Sequence, residues 1–236
     1  MATEQETQET GAALLRLVEV MDTLRVACPW DAKQTHESLA PHLLEECYEA
    51  LDALERHDLA GLRDELGDVL LQVVFHARVA SERSDGTGFT IDDVAAGTVD
   101  KLTRRHPHVF GDVTVSGADE VKRNWDAIKA AERADKGQAA SLMDSVPFSQ
   151  PALALAAQLQ RRAARAGVPA GLADLAVGSP TQPEPADPPA GVSQLGADLF
   201  ALVAQAVKAG LDPELELRAA ARHYADQVRD WEHSHR

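Results

Sequence analysis

The sequence is poor in the residues that several large function classes require. Aromatic side chains make up 4% of its 236 residues, too few for the stacking platforms that grip single-stranded nucleic acids. Lys and Arg number 23 against 38 Asp and Glu, a net charge of -15. Neither nucleic acid nor an anionic membrane is therefore an expected partner. Two cysteines, Cys28 and Cys47, cannot build a disulfide framework, so reduced thiols and a cytoplasmic location are expected. There is no signal peptide and no apolar run long enough to span a bilayer. Gly86-Thr87-Gly88 is too short for a phosphate loop, and no Walker or dinucleotide fingerprint occurs. His36-Glu37 opens a zinc-binding pattern, but Ala40 stands where the second histidine belongs. The one Glu-x-x-His, Glu232 to His235, lies at the extreme C-terminus, which removes a di-iron carboxylate bundle.

What the chain does hold is a run of acids within apolar sequence, from Glu45 to His76. It reads as two helices, each with a carboxylate pair three residues apart: Glu46 and Glu49, then Glu65 and Asp68. That spacing sets each pair on one face of its helix. From Leu66 to Val79, apolar side chains come nearly all the way round the helical projection, which predicts a buried helix. The exceptions, Glu65, Asp68, Gln72 and His76, fall in one stripe. Ionised carboxylates inside a protein need protons, cationic partners or a metal. Two pairs of anionic oxygen donors suit hard divalent cations, Mg2+ first.

Each pair alone has a plainer explanation. On the first helix Leu43, Leu44, Cys47, Tyr48, Leu51 and Leu54 form the apolar face, leaving Glu45, Glu46, Glu49 and Asp52 as a solvated one. Glu65 and Asp68 by themselves read as a salt-bridged core. Taken together, the pairs favour a site.

In chain order, residues 1–11 are polar and predict a disordered tail, followed by a helix from Ala12 to Val26. Cys28-Pro29 stops that helix; Ser38 is the expected cap of the next, with Pro41 in its first turn. The intervening loop offers Trp30, Asp31, Gln34, Thr35 and His36 to a base or a sugar, although each taken singly fits turn or capping chemistry. The two acidic helices join near His57 to Gly61, and Gly67 within the second implies a closely packed backbone. Thr90 caps a fourth helix, with Asp93 in a capping box; Lys101, Arg104 and Arg105 end it before His106-Pro107. Cations at a helix C-terminus have an ordinary dipole explanation. Asp119 to Lys136 carries Trp125 and Lys129, and Trp125 alone reads as a core residue. From Ser141 alanine rises and the paired acids vanish; helices are expected at Leu153 to Ala166, Gln194 to Ala209 and Asp212 to His233. A linker with five prolines lies at 179–191.

ELGDVLLQVV (Glu65 to Val74) and QLGADLFALV (Gln194 to Val203) share an apolar frame. In the second, Gln194 stands opposite Glu65 and Ala197 opposite Asp68, and His223 falls opposite Lys101. This implies two related helical units, of which the first alone keeps charged equipment, although convergent helix composition gives the same pattern.

The segments LRVACPWDAKQTHESLAPHLLEECYEALDAL, LRDELGDVLLQVVFHA, KLTRRHPHVFGD and NWDAIKAAE, in this order over roughly residues 14–135, resemble the MazG family of nucleoside triphosphate pyrophosphohydrolases. The resemblance implies an all-α helical bundle, a homodimer, and hydrolysis of nucleoside triphosphates to monophosphate and diphosphate with Mg2+, Mn2+ being an alternative ion. The family's EExxE and ExxD motif falls on Glu45-Glu46-xx-Glu49 and Glu65-xx-Asp68, so Glu46, Glu49, Glu65 and Asp68 are the implied metal ligands. Phosphate and nucleotide contacts fall on Lys101, Arg105, Trp125 and Lys129, with Arg104, Trp30 and His36 added as substrate contacts. Glu45, beside the ligands, is the expected residue for positioning the attacking water.

On this reading residues 12–137 form the catalytic domain, and 141–236 a degenerate MazG-like helical domain. The C-terminal domain can carry the main activity in two-domain members; here its ligands are absent, so activity must reside in the N-terminal unit. The expected role is nucleotide-pool housekeeping. The competing expectation is a non-catalytic helical regulator that binds nucleotide or a protein partner.

Overall fold

The computed structural model describes residues 4–135, 141–144, 146–173 and 192–235, and its regular elements are all helical. They are α1 (Glu4–Ala27), a 3-10 turn (Asp31–Lys33), α2 (His36–Glu55), α3 (Leu59–Ala80), α4 (Ile91–Arg105), the short α5 (Pro107–Phe110) and α6 (Ala118–Asp135). Then follow α7 (Ala152–Arg165), a second 3-10 turn (Ala170–Ala173), α8 (Gln194–Lys208) and α9 (Pro213–Ser234). The chain divides into two compact units at Lys129/Ala130, inside α6. The proline-rich stretch at 179–191 lies outside the described residues.

In the first unit α3 packs along α2 and also touches α1 and α4. Its core joins Met21 of α1, Leu39 of α2 and Val74 and Phe75 of α3, ringed by Leu17, Val18, Leu70, Leu71, Val79 and Ile91. Met21 and Leu39 are each only 1% exposed, so truncating either to alanine costs about 2–5 kcal/mol.

Several local expectations change. Helix α1 starts at Glu4 rather than Ala12, because the Glu/Gln-rich segment has good helix propensity despite being polar. Thr35, not Ser38, caps α2; Ser38 is its third residue and returns the bond through its own hydroxyl, completing a capping box. Pro41 consequently sits beyond the first turn, where its missing N–H leaves the Glu37 carbonyl without that helical donor. His57 takes a left-handed conformation (φ 57°), and Asp58 caps α3 by accepting from the Ala60 and Gly61 amides. A Cβ at Gly61 would stand 2.6 Å from the Asp58 carboxylate, so glycine there makes room for the cap. A Cβ at Gly67 would meet nothing within 4 Å, and the close backbone approach expected there is absent.

Nor is α3 buried on every side. Leu66 is 54% and Val73 38% exposed, whereas Gln72 of the polar stripe is buried. On α2 the buried and half-buried residues recur at Leu39, Leu43, Glu46, Ala50 and Ala53, while Leu44, Tyr48 and Leu54 are exposed. The helix is therefore rotated relative to its expected apolar face: small alanines let it lie close to α3, and Glu46 falls on the packing seam rather than on a solvated face.

In the second unit α7 packs on α8, and α9 touches both. Gln160 donates to the Phe200 carbonyl (2.8 Å), and Arg161 pairs with Asp212 (3.2 Å), the residue that caps α9.

Candidate active site

The carboxylates converge because two helices present them to each other. Glu46 occupies the α2 seam between Leu43 and Ala50; Glu49, one turn on, is exposed; Glu65 of α3 is half-buried. Each of the three offers an oxygen within 4.8 Å of the others. Burial pushes the Glu65 carboxyl above its usual range; the charge of Glu49, a hydrogen bond shared with it, and the charges of Asp68 and Glu46 add to this. Burial likewise raises Glu46, helped by the charges of Asp68, Glu49 and Glu45 against a smaller opposing effect of His42. Among the described residues no lysine or arginine forms an ion pair with any of these acids. The donor set, carboxylate oxygens drawn together without a cationic partner, matches what a hard divalent ion binds.

Asp68 stays outside the close group of three but lies near enough to act on both Glu46 and Glu65. Glu45 is exposed and faces His42, whose Nδ1 is 3.7 Å from its carboxylate. The α3 stripe continues beyond the acids through Gln72 and His76, each with one buried side-chain atom, Oε1 and Nε2 respectively, lacking a hydrogen-bond partner. His76 bonds through Nδ1 to the Nδ1 of His36 (2.8 Å), with the rings stacked; desolvation and the neighbouring His36 push the His76 pKa down. Trp30 is 53% exposed and touches Phe75 and His42 edge-on, with ring centroids 6.4 and 6.1 Å away.

The basic and aromatic residues gather at the end of α4. Arg105 lies over the Trp125 ring, 5.6 Å from its centroid, and His106 meets the same ring edge-on at 4.8 Å. Lys101 and Arg104 are exposed on α4, and Lys129 is half-buried on α6. His42, His106 and Arg25 also stand at these residues, although no sequence motif singles them out as site residues. Arg25 has only 9% of its side chain exposed and holds the Trp30 loop. A basic residue just before the Cys28-Pro29 breaker was the available signal for it.

The MazG nucleotide pyrophosphohydrolase domain matches residues 34–110, a segment that contains all four acids. An uncharacterised protein from the blaB 3' region of Streptomyces cacaoi is 46% identical over 219 residues, 93% of this chain and 82% of that one. The nucleoside triphosphate pyrophosphohydrolase/pyrophosphatase MazG of Thermotoga maritima is 38% identical over 232 residues, 95% of this chain and 88% of that protein. The Escherichia coli nucleoside triphosphate pyrophosphohydrolase is 47% identical over 155 residues, but this match spans only 57% of its length. No helix among the described residues is long and apolar enough to cross a membrane. Being 38% identical over 95% of its length to the Thermotoga maritima MazG protein, the chain belongs to the MazG nucleotide pyrophosphohydrolase family.

Proposed function

We propose that the chain hydrolyses nucleoside triphosphates, ribo- or deoxy-, to the monophosphate and diphosphate, using Mg2+ or Mn2+ held by Glu46, Glu49, Glu65 and Asp68. The observation that carries this reading is the convergence of Glu46, Glu49 and Glu65 within 4.8 Å across the α2–α3 seam. A triphosphate brings about four negative charges, which bare carboxylates would repel. Divalent ions bound there would lower the pKa of a water and offset charge on the departing diphosphate. The chain's own residues do the remaining work. Lys101, Arg104 and Arg105 neutralise the terminal phosphates, and Glu45 orients the attacking water. Trp30 offers its exposed indole to the base; His36, Trp125 and Lys129 complete the nucleotide contacts.

The exposed Leu44, Tyr48, Leu54, Leu66 and Val73 on α2 and α3 support a homodimer, since a second copy would cover them. The second unit is read as a degenerate MazG-like unit that serves dimerisation, stability or regulation. Free Cys28 and Cys47 accord with a reducing, cytoplasmic setting. The activity would serve nucleotide-pool housekeeping. The test is diphosphate release across common and damaged nucleoside triphosphates, with and without Mg2+. Metal-dependent release supports the reading, and binding without turnover would assign the chain to the regulators instead.

A further inference from the structure

We propose that Arg25 is a positioning residue for substrate: it sets the loop that presents Trp30 to the nucleotide base, an inference that rests on the nucleotide reading above. Arg25 leaves α1 with 9% of its side chain exposed, and four of its donor contacts are used. Nε and one terminal nitrogen grip the two oxygens of Glu82 at 2.9 and 2.8 Å. The other terminal nitrogen donates to two loop carbonyls, those of Asp31 and of Gln34, the latter at 3.0 Å. Those carbonyls bracket the turn that follows Trp30. The turn closes on itself through Gln34, whose side-chain amide donates to the Trp30 carbonyl at 2.9 Å, and Ser38 donates to Gln34 at 2.7 Å.

The anchor is itself anchored. Glu82 also receives Arg78 at 3.0 Å, and Arg78 reaches back to Asp22 of α1 at 2.7 Å. Glu82, just past the end of α3, thus holds the loop from one side through Arg25, while within the helix Phe75 meets the Trp30 ring and His76 bonds His36. One helix carries Glu65 in its first half and Phe75, His76 and Arg78 in its second, with Glu82 just beyond its end. Registering a base contact against a metal site requires such a common rigid element. A guanidinium suits the task because its planar fork bonds a carboxylate with one edge and carbonyls with the other; a lysine ammonium cannot span both.

A double-mutant cycle on KM distinguishes positioning from general support of the fold. Trp30→Ala should raise KM for ATP by about 10–100-fold, the loss of one base-stacking contact. Arg25→Lys should raise KM about 10-fold, and the Arg25→Lys/Trp30→Ala pair should be no worse than Trp30→Ala alone, because Arg25 acts through that ring. Should Arg25→Lys fail to fold by circular dichroism, Glu82→Gln takes its place in the same cycle, with a smaller rise in KM and the same non-additivity. Additive effects on KM, or an unchanged KM in Trp30→Ala, would overturn this inference while leaving the hydrolase reading standing. If the wild-type chain releases no diphosphate from any nucleotide, the hydrolase reading falls first and this inference with it.

Discussion

Helices α3 and α8 carry similar ten-residue apolar frames, and their burial agrees at four of the ten paired positions. Val74 and Val203 are 4% and 2% exposed; Leu66 and Leu195 point out at 54% and 68%; Val73 and Leu202 do so at 38% and 56%. What differs is position and company. In α3 the frame starts seven residues into a helix capped by Asp58, and Glu65 meets Glu46 and Glu49 across the seam. In α8 the frame starts at the first residue after the Ser193 cap, and Gln194 turns its amide to Asp198 at 2.8 Å. Even the shared glycine has different surroundings: a Cβ at Gly196 would lie 3.0 Å from Val192, whereas Gly67 is open. An apolar frame is enough to make and pack a helix. Chemistry needs acids on a second helix to face it.

The comparison breaks most visibly at Glu65. Glu65→Gln should reduce diphosphate release about a thousandfold with helical content unchanged in circular dichroism. The reciprocal change, Gln194→Glu with Ala197→Asp, should restore nothing to a Glu65→Gln background. Recovered activity would show that the second unit supplies a facing set of acids after all.

Core truncation compares the packing of the two frames. Met21→Ala removes a fully buried side chain beside α3 and should cost about 2–5 kcal/mol in denaturant unfolding. Leu202→Ala, at an exposed position of the α8 frame, should stay within about 1 kcal/mol. Comparable losses would mean that Leu202 is covered in the assembled protein.

The smallest effect concerns pH. Hydrogen bonding to Arg25 holds the Glu82 carboxyl below its usual range, with the charges of Arg25 and Arg78 adding to it. A depressed carboxylate contributes stability above its unfolded pKa and loses it as pH falls through the folded one. Thermal stability of the wild type should therefore decline from the ordinary glutamate range downward. Glu82→Gln should begin less stable at neutral pH and show a shallower acid decline; identical profiles would remove the ion pair from the account.

Much of the site was legible because acid spacing is a short-range signal. Glu46, Glu49, Glu65 and Asp68 could be paired from i, i+3 periodicity, and Thr90 with Asp93 could be read as a capping box. The phase of α2 could not, since its leucines cover a broad arc and the deciding residues are the small Ala50 and Ala53, which carry little hydrophobic signal. The Thr35 cap was hidden because Thr35 and Ser38 bond each other reciprocally and either could come first. For Arg25 the only local signal was its place before Cys28-Pro29: its carboxylate partner lies 57 residues away, and no local pattern carries that pairing.

The most direct measurement of the central claim is calorimetric titration of Mn2+ into the wild-type chain and into Glu46→Gln/Glu49→Gln/Glu65→Gln, with a non-hydrolysable nucleoside triphosphate present. The account predicts saturable binding to the wild type and at least about a hundredfold weaker binding to the triple variant at equal helical content. Equal Mn2+ affinity in both proteins would contradict it.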